Sequence, residues 1–175
     1  MGTGEADGLK KRKIVATGLD GQIEELADRA DHKTLAVWAA DCAERVLPYF
    51  EQERPRDDRP RKAIEHLRKW VRTGEFHMAE VRGASLAAHA AAREVPEGNA
   101  AAAAAHSAAR AAGQAVATAH VPRHALGAGL YAATAVRDAA PPGEAESATL
   151  KERGWQYRHL MELMRDSPVA KEDST

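Results

Sequence analysis

The stretch from Asn99 to Val121 constrains this chain more than any other, because it is almost wholly alanine and commits the middle of the sequence to helix. Alanine has the highest intrinsic helix propensity, Asn99 is a favoured N-cap, and Val121-Pro122 supplies a stop, since the residue before a proline is pushed out of the α region. Side chains this small let neighbouring helices approach nearly to backbone contact. Against the alanine background His106, Arg110, Gln114 and Thr118 recur every fourth residue and form one drifting polar line on an apolar rod. A surface helix would carry long charged residues elsewhere around its circumference, and this one carries none. The stretch therefore predicts a central helix with an internal polar seam.

Composition bounds what surrounds it. A chain of 175 residues, 44% hydrophobic and 29% charged, is long enough for one real core and short for two. Only 5% of residues are aromatic, so the core must come from close helix packing, which favours an all-α fold. The expectation is a single-domain bundle, or a short stack of antiparallel helical hairpins, of about six or seven helices. It should span residues 19–166, between a flexible tail over 1–18 and a polar tail over 167–175. With 25 basic and 26 acidic side chains the formal net charge is −1, which offers no field for a polyanion or an anionic membrane, so neither nucleic acid nor membrane is expected as a partner. The single Cys42 excludes an internal disulfide framework and a multi-cysteine zinc site, and no apolar run follows Met1. A cytoplasmic protein is the expectation.

From the start of the chain, a short basic run at Lys10 to Lys13 precedes a first helix with Asp20 as N-cap and Leu19, Ile23, Leu26 and Ala27 on its apolar side. A second helix from about Asp31 to Glu51 should bury Leu35, Trp38, Cys42, Val46 and Phe50. Asp41 and Arg45 are spaced for an intrahelical pair beside that stripe; alternatively Asp41 or Glu44 turns inward to an arginine of the central helices. A third helix, capped by Asp58, with Pro60 in its first turn and Gly74 at its end, completes an αα-hairpin. Beyond Pro122, a helix from His124 should pack through Leu126, Leu130, Tyr131 and Val136, with Gly127 and Gly129 permitting close crossing. The last helix, over about Glu144 to Asp166, carries Leu150, Trp155 and Leu160.

Chemistry-bearing residues concentrate around the alanine rod. Ala87 to Arg93 on the preceding helix, which also carries Arg82 and Leu86, is echoed by Ala104 to Arg110, so the spacing of His89 to Arg93 repeats in His106 to Arg110. If the two alanine faces pack antiparallel, both pairs meet one groove, and such a groove would suit a carboxylate, a phosphate or an acidic side chain. The bland reading has the imidazoles bonded within the core and the guanidiniums in solvent or bridged to Asp41 and Glu44. His120 and His124 share a zinc-like spacing, but Pro122 lies between them and the zincin glutamate is missing, so no metal site is expected. A glycine-rich phosphate loop, a nucleophile elbow and a base for Cys42 are missing too, and no cofactor is called for.

Leu35 to Leu47, Asp58 to Glu65 with Trp70, Ala87 to Arg93, and Ala112 to Val121 closing on His124-Ala125 resemble the bacterial putative immunity protein family, over roughly Thr34 to Arg137. That family is linked to toxin-immunity systems and is often mislabelled as an exonuclease subunit. This chain departs from the family pattern at Gln114, where a histidine is expected. The resemblance implies a binding protein that neutralises or sequesters a toxin protein or a small toxic metabolite. The competing expectation is a small-molecule-binding protein or enzyme of antibiotic biosynthesis or resistance, with Asp41, Glu44, Arg82, His89, Arg93, His106, Arg110, Gln114, His120 and His124 as the candidate cleft. A homo-oligomer is compatible with either.

Overall fold

The computed structural model describes residues 14–167, which form α1 (Asp20–Arg29), α2 (His32–Glu53), α3 (Arg59–Thr73), α4 (Met78–Arg93), α5 (Ala100–Ala117), α6 (His124–Ala139) and α7 (Ala145–Asp166), with no strand among them. The all-α expectation holds. Local chemistry starts and stops most of these helices as anticipated. Asn99 Oδ1 accepts the Ala102 N–H at 2.9 Å to open α5, and Asp31 does the same for Thr34 at 2.9 Å to open α2. Gly74, at φ 71°, closes α3 in the left-handed conformation that glycine adopts without a steric penalty.

Three boundaries differ. Asp20 is the first residue of α1 rather than its cap, and its carboxylate accepts the Thr17 N–H at 2.8 Å and hydroxyl at 2.9 Å. At α3 the capping acceptor is Asp57, bonded to the Arg59 N–H at 3.2 Å, while Asp58 pairs with Lys62 one turn on at 2.8 Å. The regular part of α5 ends at Ala117, before the proline stop, because Thr118, Ala119 and His120 tighten to i→i−3 bonds. His32 Nε2–H captures the freed Thr118 carbonyl at 2.6 Å.

α5 is the hub, packed against α2, α3, α4 and α6, while α7 lies over α6 and α2 and α1 lies on α7. Ala104, Ala105, Ala108, Ala109, Ala111 and Ala112 are completely buried, and α6 meets them through Ala125, Ala128 and Ala132. These faces come too close for longer side chains, so Leu126, Tyr131 and Val136 pack against the core as expected but from its edge, partly buried, Leu130 is partly buried without joining it, and Leu86 and Leu150 are exposed. Bulk comes from α2 instead, through Trp38, Leu47 and Phe50.

A buried polar network joins α7 to the core. Glu152 accepts Arg45 at 3.0 Å, Arg153 binds Asp20 at 2.7 Å and Gln156 Oε1 at 2.7 Å, and Gln156 Nε2 donates to the Gly129 carbonyl at 3.0 Å. Arg45 thus bonds across to α7, its guanidinium 3.8 Å over the Trp155 ring, rather than to Asp41 along its own helix. Segment 14–18 belongs to the folded unit: Val15 is buried and its N–H donates to Thr134 Oγ1 at 3.2 Å. Ser167, assigned above to the C-terminal tail, is held by Asp31 at 2.8 Å. The Lys10 to Lys13 run and both tails, over 1–13 and 168–175, lie outside the described residues.

Candidate functional site

The antiparallel packing of α4 on α5 sets Ala92 opposite His106, His89 opposite Arg110 and Ser85 opposite Gly113. His106 Nδ1–H donates to the Ala92 carbonyl at 2.9 Å, Arg110 Nη1 donates to His89 Nδ1 at 3.3 Å, and Ser85 Oγ donates to the Gly113 carbonyl at 3.0 Å. Gly113 is required by this register, since a Cβ there would lie 2.6 Å from His89 Cε1. On the other flank α6 runs antiparallel to α5. Tyr131 Oη accepts Arg110 Nη2 at 3.4 Å, and His124 Nδ1–H donates to Gln114 Oε1 at 2.8 Å, with the Gln114 chain lying over the bare backbone of Gly127. The seam of α5 therefore sits in the groove between α4 and α6. His106, Arg110 and Gln114 are half-exposed, each flanked by buried alanine, serine or glycine of the same helix.

Two clefts flank His89. One, of about 560 Å³, is lined by Arg93, His106, Arg110, Tyr131 and Ser107, with Glu97 as its acidic residue and Ile14 at its edge. The other, of about 340 Å³, holds Arg82, His120 and His124 among apolar side chains. His120 stacks on Phe76 at 6.1 Å. Among the described residues no group of three or more His, Cys, Asp and Glu is placed to hold a metal ion. Burial pushes the Cys42 thiol well above its ordinary range, and Glu152 and Asp41 add to this.

Eight of the ten expected residues thus lie along one groove. Asp41 and Glu44 do not, because their side of α2 faces α3 and α7. Arg68 of α3, not an arginine of the central helices, binds both of them, at 2.8 Å for Asp41, and His159 Nε2–H donates to Asp41 at 2.7 Å. Tyr131 was read above as a packing residue. Its place in the groove was recoverable from its seven-residue spacing to His124, which puts the two on one face of α6.

His89 is the most perturbed group here. Burial, and then the charges of Arg110, Arg93, His124 and His106, lower its pKa to about 4. It is therefore neutral at pH 7, and because its Nδ1 accepts from Arg110 its proton is on Nε2. An unfolded histidine titrates near 6.5, so between about 6.5 and 4 the unfolded chain takes up a proton that the native site refuses. The associated stability is present above pH 6.5 and lost as pH falls toward 4. Urea midpoints measured from pH 7 to 4.5 should fall less steeply for His89→Gln than for the wild type, and parallel curves would refute this.

The fold and groove define an all-α protein built around an alanine core, with a preorganised basic cleft between α4, α5 and α6. The profile of the Imm-5 like putative immunity protein family matches residues 25–163, and the chain belongs to that family. Neither the curated proteins nor the solved structures compared with it gave a match. An immunity-like role follows from the family. Within the described residues no helix is long and apolar enough to cross a membrane.

Proposed function

We propose that this protein neutralises a toxin by binding it, and that the cleft between α4, α5 and α6 receives an anionic group of that toxin, a carboxylate or a phosphate. The observation that carries this reading is the partnering of Arg110. Arg45, Arg59, Arg61, Arg68, Arg123 and Arg153, all fixed between segments of the fold, each end on a carboxylate. Arg110 ends on an imidazole and a phenol, and its buried Nε has no hydrogen-bond partner among the described residues. A guanidinium held in place, partly desolvated and left without its counter-charge is a receptor for an oxyanion, which would supply two charge-assisted bonds in one plane. Arg93 adds a second guanidinium, with no carboxylate partner among the described residues, and Ser107 and Tyr131 line the same space.

Binding is favoured over proton transfer because the Nδ1 lone pair of His89 is already engaged by Arg110. The imidazole positions the guanidinium. Titration with inorganic phosphate and with acetate, followed through the arginine Nε–H resonances, tests the reading. Both anions should shift the Arg110 signal and raise the melting temperature, and Arg110→Ala should weaken binding by tenfold or more, about the worth of a charged hydrogen bond, while keeping the helical circular dichroism. An Arg110 signal indifferent to both anions would sink the proposal.

A further inference from the structure

The second cleft carries an inference that rests on the reading above and extends it. Four of the seven large apolar side chains left exposed among the described residues gather there: Phe76 (38%), Met78 (43%), Leu86 (58%) and Val121 (38%). Met78 and Leu86 line the cleft with Val81, Phe76 stacks on the His120 of its lining, and Val121 follows His120 in the chain. Its charged lining is wholly basic or imidazole, from Arg82, His120 and His124. The acidic residues nearest in sequence turn elsewhere, Glu75 to Lys69 at 3.7 Å and Glu80 to His66 at 3.8 Å. An apolar floor with a cationic rim, so close to an anion receptor, asks for an occupant with complementary parts.

We propose that this cleft seats a large apolar side chain of an acidic polypeptide, the same toxin whose carboxylate engages Arg110, so that recognition has two anchors. A second copy of this chain fits less well, because a two-fold contact through this cleft would bring the Arg82 guanidiniums of both copies to one interface with no carboxylate lining it. The separation suits a peptide. Ser85 in the apolar cleft and Arg93 in the basic one are eight residues apart on α4, about 12 Å, which an extended chain spans in about four residues.

The probe is a fluorescein-labelled Gly-Ser peptide bearing one glutamate and one tryptophan four residues apart, with tryptophan→alanine and glutamate→glutamine versions, measured by fluorescence anisotropy. Linking two weak anchors on a short flexible chain should let the parent peptide bind at least about tenfold more tightly than either single-anchor version. Leu86→Asp, at an exposed position, should erase the tryptophan gain and keep the glutamate gain, and Arg110→Ala should do the reverse. Equal binding of the parent and the tryptophan-free peptide to the wild type overturns the proposal, as does a concentration-dependent dimer in sedimentation that Leu86→Asp abolishes. A tryptophan gain that persists while Arg110→Ala changes nothing supports this site and refutes the anion cleft.

Discussion

Trp38→Ala is expected to lower the free energy of unfolding by about 3–5 kcal/mol, read as a drop in the urea midpoint at unchanged slope. Trp38 is completely buried in the second turn of α2, and its indole fills the space that α5 and α6 cannot fill with their own short side chains. The fit is close enough that a Cβ added at Gly129 of α6 would lie 2.7 Å from Cη2 of the ring. Its Nε1–H also donates to the Gln156 carbonyl at 2.8 Å, tying α2 to α7. Alanine rods already in near-backbone contact have little capacity to collapse into the void, so the cost should sit at the upper end of the range for large-to-small substitutions. Trp38→Phe restores most of the volume without the donor and should cost about 1–3 kcal/mol, for the lost indole hydrogen bond plus a smaller cavity. Equal losses in the two variants would show that the hydrogen bond, and not the packing, dominates.

Arg153→Ala should be nearly as damaging, at about 3 kcal/mol or more, because it leaves charged and polar partners of a buried guanidinium uncompensated. Only 2% of Arg153 is exposed, and it binds Asp20 through Nη2 at 2.7 Å and Nε at 3.1 Å, and Gln156 Oε1 through Nη1 at 2.7 Å. Burial alone would raise the Asp20 carboxyl, but hydrogen bonds from Thr17 and Arg153 outweigh it and hold the group below its ordinary range. Removing the guanidinium takes away part of that support, so Asp20→Asn should cost less in an Arg153→Ala background than in the wild type. A thermal denaturation cycle over the two single variants and the double variant measures the coupling. Additive losses would mean that Arg153 matters for its volume and not for its charge.

Both predictions concern contacts across helices, and this marks the limit of what was legible beforehand. The polar line on α5 and the repeated histidine-to-arginine spacing are periodicities within a helix, and periodicity is visible in one dimension. The basic groove could therefore be anticipated from His89, Arg93, His106 and Arg110. The partners of Asp41 and Glu44 could not, because Arg68 and His159 reach them from separate helices, and no local spacing favours those over Arg45 or a central arginine.

Alone, the sequence determined the α class, the hub helix with its Asn99 cap, and the pairing of imidazole with guanidinium along α4 and α5. These follow from propensity and from the 3.6-residue turn, which act over a few residues. Only the tertiary structure decided that Arg110 ends on His89 and Tyr131 without a carboxylate, that the groove divides into two clefts, and that α6 buries its alanine and glycine face instead of its leucines. Those outcomes depend on how near two helix axes can come, which is set by Gly113, Gly127 and Gly129 meeting side chains from other helices. A glycine in a sequence says only that room can be left; what fills the room is settled when the helices meet.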